Sequence, residues 1–168
     1  NIINILLMNL KEETTQDTFE VCHIKACISN ALNEYHFHEE DRKRIHWADE
    51  IDFVFKGNPT LIKHVLFNLM KNALYYIKVA HKGDIYISQT QGNEMNTLHF
   101  KDTGNGISPE ALCHIFDKFY SKTNHGTGIG LAFCKQVMED LGGSITCASI
   151  ENEYTEFILS FPTMKDKP

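Results

Sequence analysis

Two asparagines one helical turn apart are the first residues in this sequence whose type and spacing suit chemistry. Asn68 and Asn72 lie in an apolar-periodic segment from Pro59 to about Val79, which predicts one long helix. At about 100° per residue, Asn72 falls inside the edge of the apolar face and Asn68 beside it. An amide at an apolar margin costs free energy unless it has partners. The pair therefore suggests a shared hydrated cation or phosphate, with two ordinary surface amides as the alternative.

A glycine-containing turn follows a predicted strand and forms the second candidate. It reads Asp102-Thr103-Gly104-Asn105-Gly106-Ile107. Gly104 and Gly106 permit positive φ angles and a close approach of a ligand. The Asp102 carboxylate at the strand end is a suitable acceptor for an exocyclic amine such as N6 of adenine. Many tight turns share this D-x-G-x-G pattern without binding a ligand, so the segment alone leaves both interpretations open.

Alternate glycines directly before a predicted helix form the third candidate, His125-Gly126-Thr127-Gly128-Ile129-Gly130-Leu131. Such a loop leaves backbone N–H groups free to wrap phosphate oxygens, and the helix N-terminus favours negative charge. The pattern is neither the Walker loop nor the dinucleotide fingerprint, because no Gly-Lys-Ser/Thr follows and no strand directly precedes it. A loop that binds nothing is the alternative.

Together these segments resemble the motifs of the histidine kinase, gyrase, Hsp90 and MutL ATPase superfamily. Asn68-x-x-x-Asn72-Ala73 resembles its N box, Asp102-x-Gly104-x-Gly106 its G1 box and Gly126–Leu131 its G2 box. Ile115–Tyr120, which reads IFDKFY, is similar to the F box that borders the nucleotide lid in histidine kinases. The motifs follow in the family's order over roughly Phe19 to Pro162, and jointly they are far more specific than any one alone.

The resemblance implies a role for each matching residue. Asn72 would coordinate Mg²⁺, and Asn68 would contact the phosphates or the water shell of the metal. Asp102 would bind the adenine amine with Thr155 supporting it through water, while Ile107 and Tyr76 would pack against the adenine plane. Asn68 and Lys122 would be the catalytic residues, because Lys122 in the short lid would reach the γ-phosphate. The implied ATP-binding residues are Asn68, Asn72, Tyr76, Asp102, Gly104, Gly106, Ile107, Lys122, Gly126, Thr127, Gly128, Ile129, Gly130, Leu131 and Thr155.

Position 68 distinguishes the branches of the superfamily. The hydrolysing branches carry a Glu there, which activates water as a general base, whereas an Asn amide takes no proton from water at neutral pH. We therefore expect a protein-histidine kinase that passes the γ-phosphoryl group from ATP to a histidine supplied from elsewhere. An ATP hydrolase of the same superfamily, or a degenerate nucleotide-binding or protein-interaction module, is the alternative.

Three departures from the family pattern concern the phosphate contacts. Tyr75 stands where many members carry Lys or Arg, and only residues 121–125 separate the F box from the G2 box. The family's glycine-rich turn before the last strand is replaced by Glu151-Asn152-Glu153-Tyr154. The N box and the compact lid also resemble those of quorum-sensing hybrid sensor kinases.

Composition excludes several classes of protein. The 168 residues suffice for one domain, and the net charge of −6 without a basic block argues against a nucleic-acid partner. No apolar run approaches the ~20 residues of a membrane span. Five scattered cysteines favour reduced cytosolic thiols over a disulfide framework. His36 and His38 lack the further ligands of a zinc site, so a solvated helix end is the simpler interpretation.

The elements that must position the site follow from periodicity and turn residues. Helices are expected at about 21–35, 59–79 and 131–141, the last ended by Gly142-Gly143. Strands are expected at 45–47, 51–55, 84–90, 95–101, 144–149 and 155–161. Helices grouped among hairpin-linked strands predict an α+β fold, a two-layer α/β sandwich of a mixed, mainly antiparallel sheet covered by helices. The resemblance implies the same architecture, a Bergerat-type ATP-binding fold.

The expected domain organisation has four parts. Residues 1–11 would end the second helix of a dimerisation hairpin, 12–18 would be a linker, 19–163 the ATP-binding domain and 164–168 a polar tail. The phosphoacceptor helix is then absent from this fragment, which is not expected to autophosphorylate alone. His38-Glu39 superficially matches the phosphoacceptor motif, but it lies inside the catalytic region with no nearby Pro.

The resemblance also implies the partners of the chain. These are ATP or ADP, the dimerisation and phosphoacceptor helix of the same protein, and a response regulator or receiver domain downstream. The full-length protein would be a homodimer, and this chain would be a cytoplasmic domain of a membrane-anchored bacterial sensor. No nucleic-acid partner is expected.

Overall fold

A computed structural model of the chain describes residues 19–121 and 128–165, so the expected dimerisation helix and linker at residues 1–18 lie outside the described residues. The elements in chain order are β1 (Glu20–His23), α1 (Ile24–Glu34), α2 (Glu39–Arg42), β2 (Ile45–Trp47), β3 (Val54–Gly57), α3 (Pro59–Ala80), β4 (Ile85–Thr90), β5 (Met95–Asp102), α4 (Pro109–Leu112), α5 (Gly130–Asp140), β6 (Ser144–Ile150) and β7 (Tyr154–Pro162).

Five strands form the main sheet in the order β2-β4-β5-β7-β6. Strand β2 pairs with β4 in parallel, and the other neighbours pair antiparallel. Helices α1, α3 and α5 pack beside one another as the second layer. The expected two-layer α+β sandwich with a mixed, mainly antiparallel sheet is therefore confirmed.

The inward-facing side chains of the sheet form the core. On β5 and β7 these rows end in two polar residues, Asp102 and Thr155. Along β5, Leu98 and Phe100 are buried and paired in register with Leu159 and Phe157 of β7. The next inward pair is Asp102 of β5 and Thr155 of β7, both also buried. Because side chains alternate between the two faces of a strand, these two polar residues continue an apolar row.

The long helix α3 begins and ends at clear sequence signals. Asn58 is the N-cap, and its Oδ1 accepts hydrogen bonds from the amides of Thr60 at 2.9 Å and Leu61 at 3.2 Å. Pro59 follows in the first helical position, where its missing N–H has no cost. The helix runs for 22 residues and ends at His81, whose φ of 53° is left-handed. Because of this length, the same helix carries the predicted site residues Asn68, Asn72 and Tyr76.

Helix α5 ends as the Gly142-Gly143 signal predicts. The Gly142 amide donates to Glu139 O at 3.0 Å, and the Gly143 amide donates to Met138 O at 2.9 Å. Gly142 has a φ of +84°, which a residue without a Cβ adopts at little cost. This pair of bonds satisfies the last carbonyls of the helix and turns the chain directly into β6.

The first predicted helix starts later than its apolar pattern indicates. Residues 20–23 form strand β1 instead, since pairing with β3 satisfies their backbone groups. The expected strand at 51–55 likewise begins only at Val54. Asp52, ahead of this strand, binds the first turn of α1 through its side chain. Its Oδ1 accepts from the Lys25 amide at 3.1 Å, and His23 Nδ1 lies 3.1 Å from its Oδ2. Burial alone would raise the pKa of Asp52, but these hydrogen bonds hold it below its ordinary value.

Two negative findings apply to the part of the chain that the structure describes. There, no helix is long and apolar enough to span a lipid bilayer. Within the same residues, no group of three or more His, Cys, Asp or Glu side chains is arranged to hold a metal ion.

Candidate nucleotide-binding site

The Asp102 carboxyl lies at the end of β5, almost wholly buried between the sheet and α3. It is 4% exposed, and its Oδ1 accepts a hydrogen bond from the Gly104 amide at 3.1 Å. Its Oδ2 has no hydrogen-bond donor within residues 19–121 and 128–165. Burial raises the pKa of Asp102 to about 6, and the Gly104 amide offsets only part of that rise. The site thus holds a carboxylate oxygen that is largely removed from water and available to a ligand donor.

Gly104 brings the turn after β5 into direct contact with the backbone of α3. A Cβ at this position would lie 3.0 Å from the Ile77 amide nitrogen and 3.1 Å from the Tyr76 carbonyl carbon. It would also lie 3.1 Å from Asp102 Oδ1. Any side chain at position 104 would therefore push the turn away from α3 and displace the carboxyl group.

The β6–β7 hairpin holds the rest of this turn in place. Gly106 has a φ of +64°, and a Cβ there would collide with the Ile150 carbonyl oxygen. The Asn152 amide donates to Asn105 O at 2.7 Å, and Lys82 Nζ donates to Asn152 O at 2.6 Å. The turn that replaces the family's glycine-rich segment therefore makes backbone contacts of its own with the G1 box.

Ser149 is a site residue that the sequence motifs did not single out. Its Oγ accepts a hydrogen bond from the Ile107 amide at 2.7 Å and donates to Tyr154 O at 2.6 Å. The same oxygen lies 3.3 Å from Thr155 Oγ1. Strand alternation on β6, applied together with the β6–β7 register, would have placed it beside Thr155.

Cys147 is the second residue that the motifs missed. It lies on the inward face of β6, opposite Phe157 of β7. Burial, followed by the charges of Asp102 and Glu156, raises the pKa of its thiol to about 12. The thiol is therefore neutral at physiological pH, and it is a weakly polar neighbour of the Asp102 carboxyl.

Tyr76 of α3 lies near Asp102 and beside the Gly104 turn. Its ring is half-buried, and burial raises the pKa of its hydroxyl, with smaller contributions from Tyr75, Tyr120 and Asp102. These contributions show that the F-box residue Tyr120 also lies near the site. The Tyr75 and Tyr76 rings meet edge to face with centroids 5.2 Å apart.

The two asparagines of the N box differ in their surroundings. Asn68 Nδ2 donates to His64 O at 3.0 Å, and its Oδ1 faces the start of α5, where a Cβ on Gly130 would lie 2.8 Å away. The half-buried Asn72 amide has no hydrogen-bond partner among the residues that the structure describes. The structure therefore ties Asn68 to the protein and leaves Asn72 open to a ligand.

The described part of the G2 box joins the F box to α5. Gly128 has a φ of +69°, and its carbonyl accepts from the Phe119 amide at 2.9 Å. Ile129 is buried and precedes α5, whose first residues are Gly130 and Leu131. Three predicted site residues lie outside the described residues: Lys122, Gly126 and Thr127.

The donor set fits a magnesium nucleotide. Mg²⁺ prefers oxygen ligands and keeps several water molecules and phosphate oxygens in its shell, so one amide oxygen from Asn72 suffices as the protein ligand. The buried Asp102 oxygen suits an amine donor rather than a metal, because only one carboxylate is present there. Among the predicted site residues, the structure places Asp102 and Gly104 against the Tyr76 turn of α3, and Asn68 against Gly130.

The raised pKa of Asp102 predicts that the nucleotide-free protein loses folding stability as this carboxyl ionises. A folded-state pKa near 6 means that the unfolded chain releases this proton first, so the free energy of unfolding falls as the pH rises from about 4 to 6. The full penalty, on the order of 2–3 kcal/mol, is present at neutral pH. Asp102→Asn keeps an acceptor for Gly104 and removes the charge.

Urea unfolding at pH 4 and pH 7 tests this expectation. The stability of Asp102→Asn relative to the wild type is expected to increase between the two pH values by about 2 kcal/mol. The control Asp49→Asn, at an exposed carboxyl, is expected to show no comparable difference. Parallel pH profiles for wild type and Asp102→Asn would show that the carboxyl is not desolvated.

Comparison with known proteins identifies the family. The family model described as "Histidine kinase-, DNA gyrase B-, and HSP90-like ATPase" matches residues 57–165. The chain is 36% identical over 170 residues to the autoinducer 1 sensor kinase/phosphatase LuxN of Vibrio harveyi, covering 99% of this chain and 20% of that protein. It is 38% identical over 165 residues to the CAI-1 autoinducer sensor kinase/phosphatase CqsS of Vibrio cholerae, covering 96% of this chain and 24% of that protein.

A solved structure gives the same result for the fold. The catalytic domain of histidine kinase ThkA superimposes with a TM-score of 0.70 at 27% identity, over 86% of this chain and 95% of that one. The chain spans only about a fifth to a quarter of the length of the two Vibrio relatives. The family model covers more than half of the chain. The chain therefore belongs to the histidine kinase-, DNA gyrase B- and HSP90-like ATPase family, as an ATP-binding catalytic domain of the sensor histidine kinase type.

Proposed function

We propose that this domain binds Mg-ATP and transfers the γ-phosphoryl group to a histidine on a separate dimerisation helix. The observation that carries the proposal is the buried Asp102 carboxyl with one uncommitted oxygen, in register with Thr155. An adenine amine would supply the missing donor, and Thr155 and Ser149 would hold a water against the same edge of the base. Tyr76 and Ile107 would then pack on the two sides of the base plane.

The surroundings of Asn68 favour transfer over hydrolysis. Hydrolysis needs a group that takes a proton from water, and a carboxamide has no such basicity. The Nδ2 of Asn68 is also committed to His64 O, and its Oδ1 faces Gly130. The nucleophile must then be brought by another element, and positioning supplies most of the catalysis in phosphoryl transfer. Lys122 would contact the γ-phosphate from the lid.

The Asn72 amide oxygen would hold the magnesium ion. When bound, Mg²⁺ neutralises charge on the phosphates of the nucleotide. The amide lies on the same helix as Tyr76, one turn earlier, so α3 would fix the distance between the adenine plane and the metal. The first residues of α5 lie beside Asn68 and would bind the phosphates through backbone amides.

The place of this domain in a longer protein is part of the same proposal. The relatives are named as sensor kinase/phosphatases, and each is several times longer than this chain. A dimerisation and phosphoacceptor helix of the same protein, a homodimeric full-length form and a downstream response regulator or receiver domain follow from that relationship. The domain would act on the cytoplasmic side of a membrane-anchored bacterial sensor, in a phosphorelay linked to quorum sensing.

Adenosine affinity is expected to depend on the charge of Asp102. Since the carboxylate form accepts the amine, affinity is expected to be constant above about pH 7, about twofold lower at pH 6 and about tenfold lower at pH 5, where the carboxyl is mostly protonated. Asp102→Asn is expected to weaken binding at pH 7.5 by tenfold or more, because charge-assisted hydrogen bonds contribute about 1.5–3 kcal/mol. Calorimetry with adenosine, which carries no titrating phosphate, measures both effects. Equal affinity of Asp102→Asn and wild type at pH 7.5 would remove Asp102 from the base site.

The magnesium dependence of ATP affinity is expected to reside at Asn72. Asn72→Ala is expected to fold, because Ala is a good helix former, and to bind adenosine like the wild type. It is expected to lose most of the increase in ATP affinity that Mg²⁺ causes. Asn33→Ala, at an exposed asparagine of α1, is the matched control. Full Mg²⁺ enhancement in Asn72→Ala would place the metal elsewhere.

Phosphoryl transfer is tested with radiolabelled ATP, Mg²⁺ and a separate dimerisation hairpin that carries a phosphoacceptor histidine. The chain alone is expected to acquire almost no acid-labile phosphate and to release phosphate very slowly. Adding the hairpin is expected to produce acid-labile label on the hairpin and not on this chain. An Asp102→Asn reaction is expected to be slower in proportion to its lost affinity.

Two outcomes would contradict the proposed reaction. Stable acid-labile label on the isolated chain, lost in His38→Ala, would make His38 the acceptor. Rapid phosphate release without the hairpin would make the domain a hydrolase despite Asn68. The adenosine measurement stands apart from both, because it reports base binding without any transfer.

A further inference from the structure

A groove runs along the outer side of α3, apart from the candidate nucleotide site. We call it the α3 groove, and it lies between α3 and the segment 35–44, with a cavity volume of about 500 Å³. Its rim on α3 consists of Lys71, Tyr75, Lys78 and His81. None of its lining residues belongs to the implied ATP-binding set, and only Tyr75 stands at a position where many family members carry Lys or Arg. Nucleotide binding therefore does not account for the rest of the groove.

The residues of the rim follow the helical repeat. Lys71, Tyr75 and Lys78 are spaced four and three residues apart, which places them on one stripe of α3, and His81 is the C-cap that follows the helix. Both lysines are exposed, and neither makes a hydrogen bond or ion pair with the residues that the structure describes. Lys78 lies in the last turn, where a cation stabilises the helix C-terminus, but Lys71 lies two turns earlier. Helix stability therefore does not account for the whole stripe.

The charge of the groove is opposite to that of the chain. Lys71, Lys78 and Arg44 line it against one acidic residue, Asp41, which leaves two net positive charges with the histidines neutral. Arg44 is held at one end, where Nη1 donates to Gly83 O at 2.9 Å and lies 3.8 Å from Asp84 Oδ1. The whole chain carries a net charge of −6. A local cationic groove on an anionic domain attracts anionic partners selectively.

The floor of the groove is apolar. Leu74 is half-buried and Ile77 is buried, and both line the groove together with the Tyr35 ring. Tyr35 is fixed by the Phe67 ring, with centroids 5.4 Å apart. Tyr75 is 38% exposed beside this floor. An apolar floor with a cationic rim suits a ligand that combines an apolar side chain with carboxylates, and an inorganic anion would leave the floor unused.

The size of the groove limits the ligand to a short segment. From Lys71 to His81 the helix rises by about 15 Å, which about five residues of extended chain can span. A nucleic acid would extend its phosphates well past these few cations and over the anionic remainder of the domain. The charge and the length favour a polypeptide.

We propose that the α3 groove docks a short acidic polypeptide segment. One large apolar side chain of the segment packs on Leu74 and Ile77 beside Tyr75. Carboxylates on either side of that anchor pair with Lys71 and Lys78. This docking does not rest on the proposed kinase activity and requires no bound nucleotide.

Fluorescence anisotropy with labelled peptides tests the docking. The probes are peptides of about eight residues, glutamate throughout except for a central Leu, Phe, Tyr or Trp, so that they exceed the length of the groove. At least one is expected to bind saturably at low ionic strength, and its affinity is expected to fall as salt screens the charges. The matching glutamine peptide is expected to bind at least tenfold more weakly.

Charge reversal locates the site. The double variant Lys71→Glu/Lys78→Glu is expected to bind the peptide at least tenfold more weakly than the wild type. The control Lys56→Glu/Lys135→Glu changes the same net charge at exposed lysines outside the groove and is expected to bind at least threefold more tightly than the groove variant. Both doubles are expected to retain their melting temperatures within a few degrees, because all four side chains are exposed.

Three results would overturn the proposal. The first is the absence of saturable binding by every acidic peptide of the set. The second is an equal loss of affinity in the groove variant and the control, which would indicate general charge repulsion. The third is displacement of the peptide by saturating ADP, which would place it in the nucleotide site. Persistence of binding in ADP, together with amide chemical-shift changes at Leu74 and Tyr75, is the expected outcome.

Discussion

The burial of one carboxyl group governs the arrangement of this domain. Asp102 ends an inward row of β5 directly after the buried Leu98 and Phe100, and only the Gly104 amide donates to it among the described residues. An ionised group in such a place is unfavourable unless it has further partners. The domain keeps the group buried by closing the G1 turn against α3, which requires the glycine at 104. A ligand amine would give this desolvated carboxylate a charge-assisted hydrogen bond.

The same turn shows how a departure from a family pattern is compensated. The segment Glu151–Tyr154 replaces a glycine-rich turn, yet Asn152 adopts a φ of 65°, which asparagine tolerates better than most residues. This conformation presents its amide to Asn105 O and its carbonyl to Lys82 Nζ. Ser149 adds a side-chain bond to the Ile107 amide. Backbone contacts from the hairpin therefore hold the G1 box without the glycines.

The sequence predicts the fold and proposes the main site residues. Its structural predictions are correct where short-range signals decide the local structure. The Asn58-Pro59 start of α3 and the Gly142 end of α5 depend on local capping, and both are correct. The apolar period predicts a helix that includes residues 21–23, but pairing with β3 is a long-range effect that no local pattern contains. Ser149 was missed for a similar reason, since its role depends on the β6–β7 register.

Asn68 brings the N box of α3 into contact with the G2 box at the start of α5, although the two motifs are far apart in the sequence. Its Nδ2 bonds to the preceding turn of α3, while its Oδ1 lies where a Cβ on Gly130 would come within 2.8 Å. A larger residue at the start of α5 would therefore displace the end of the Asn68 side chain from its present position. A carboxamide that lies between α3 and α5 in this way has no basicity with which to take a proton from water. At position 68 the described structure thus holds a contact between two helices and no general base.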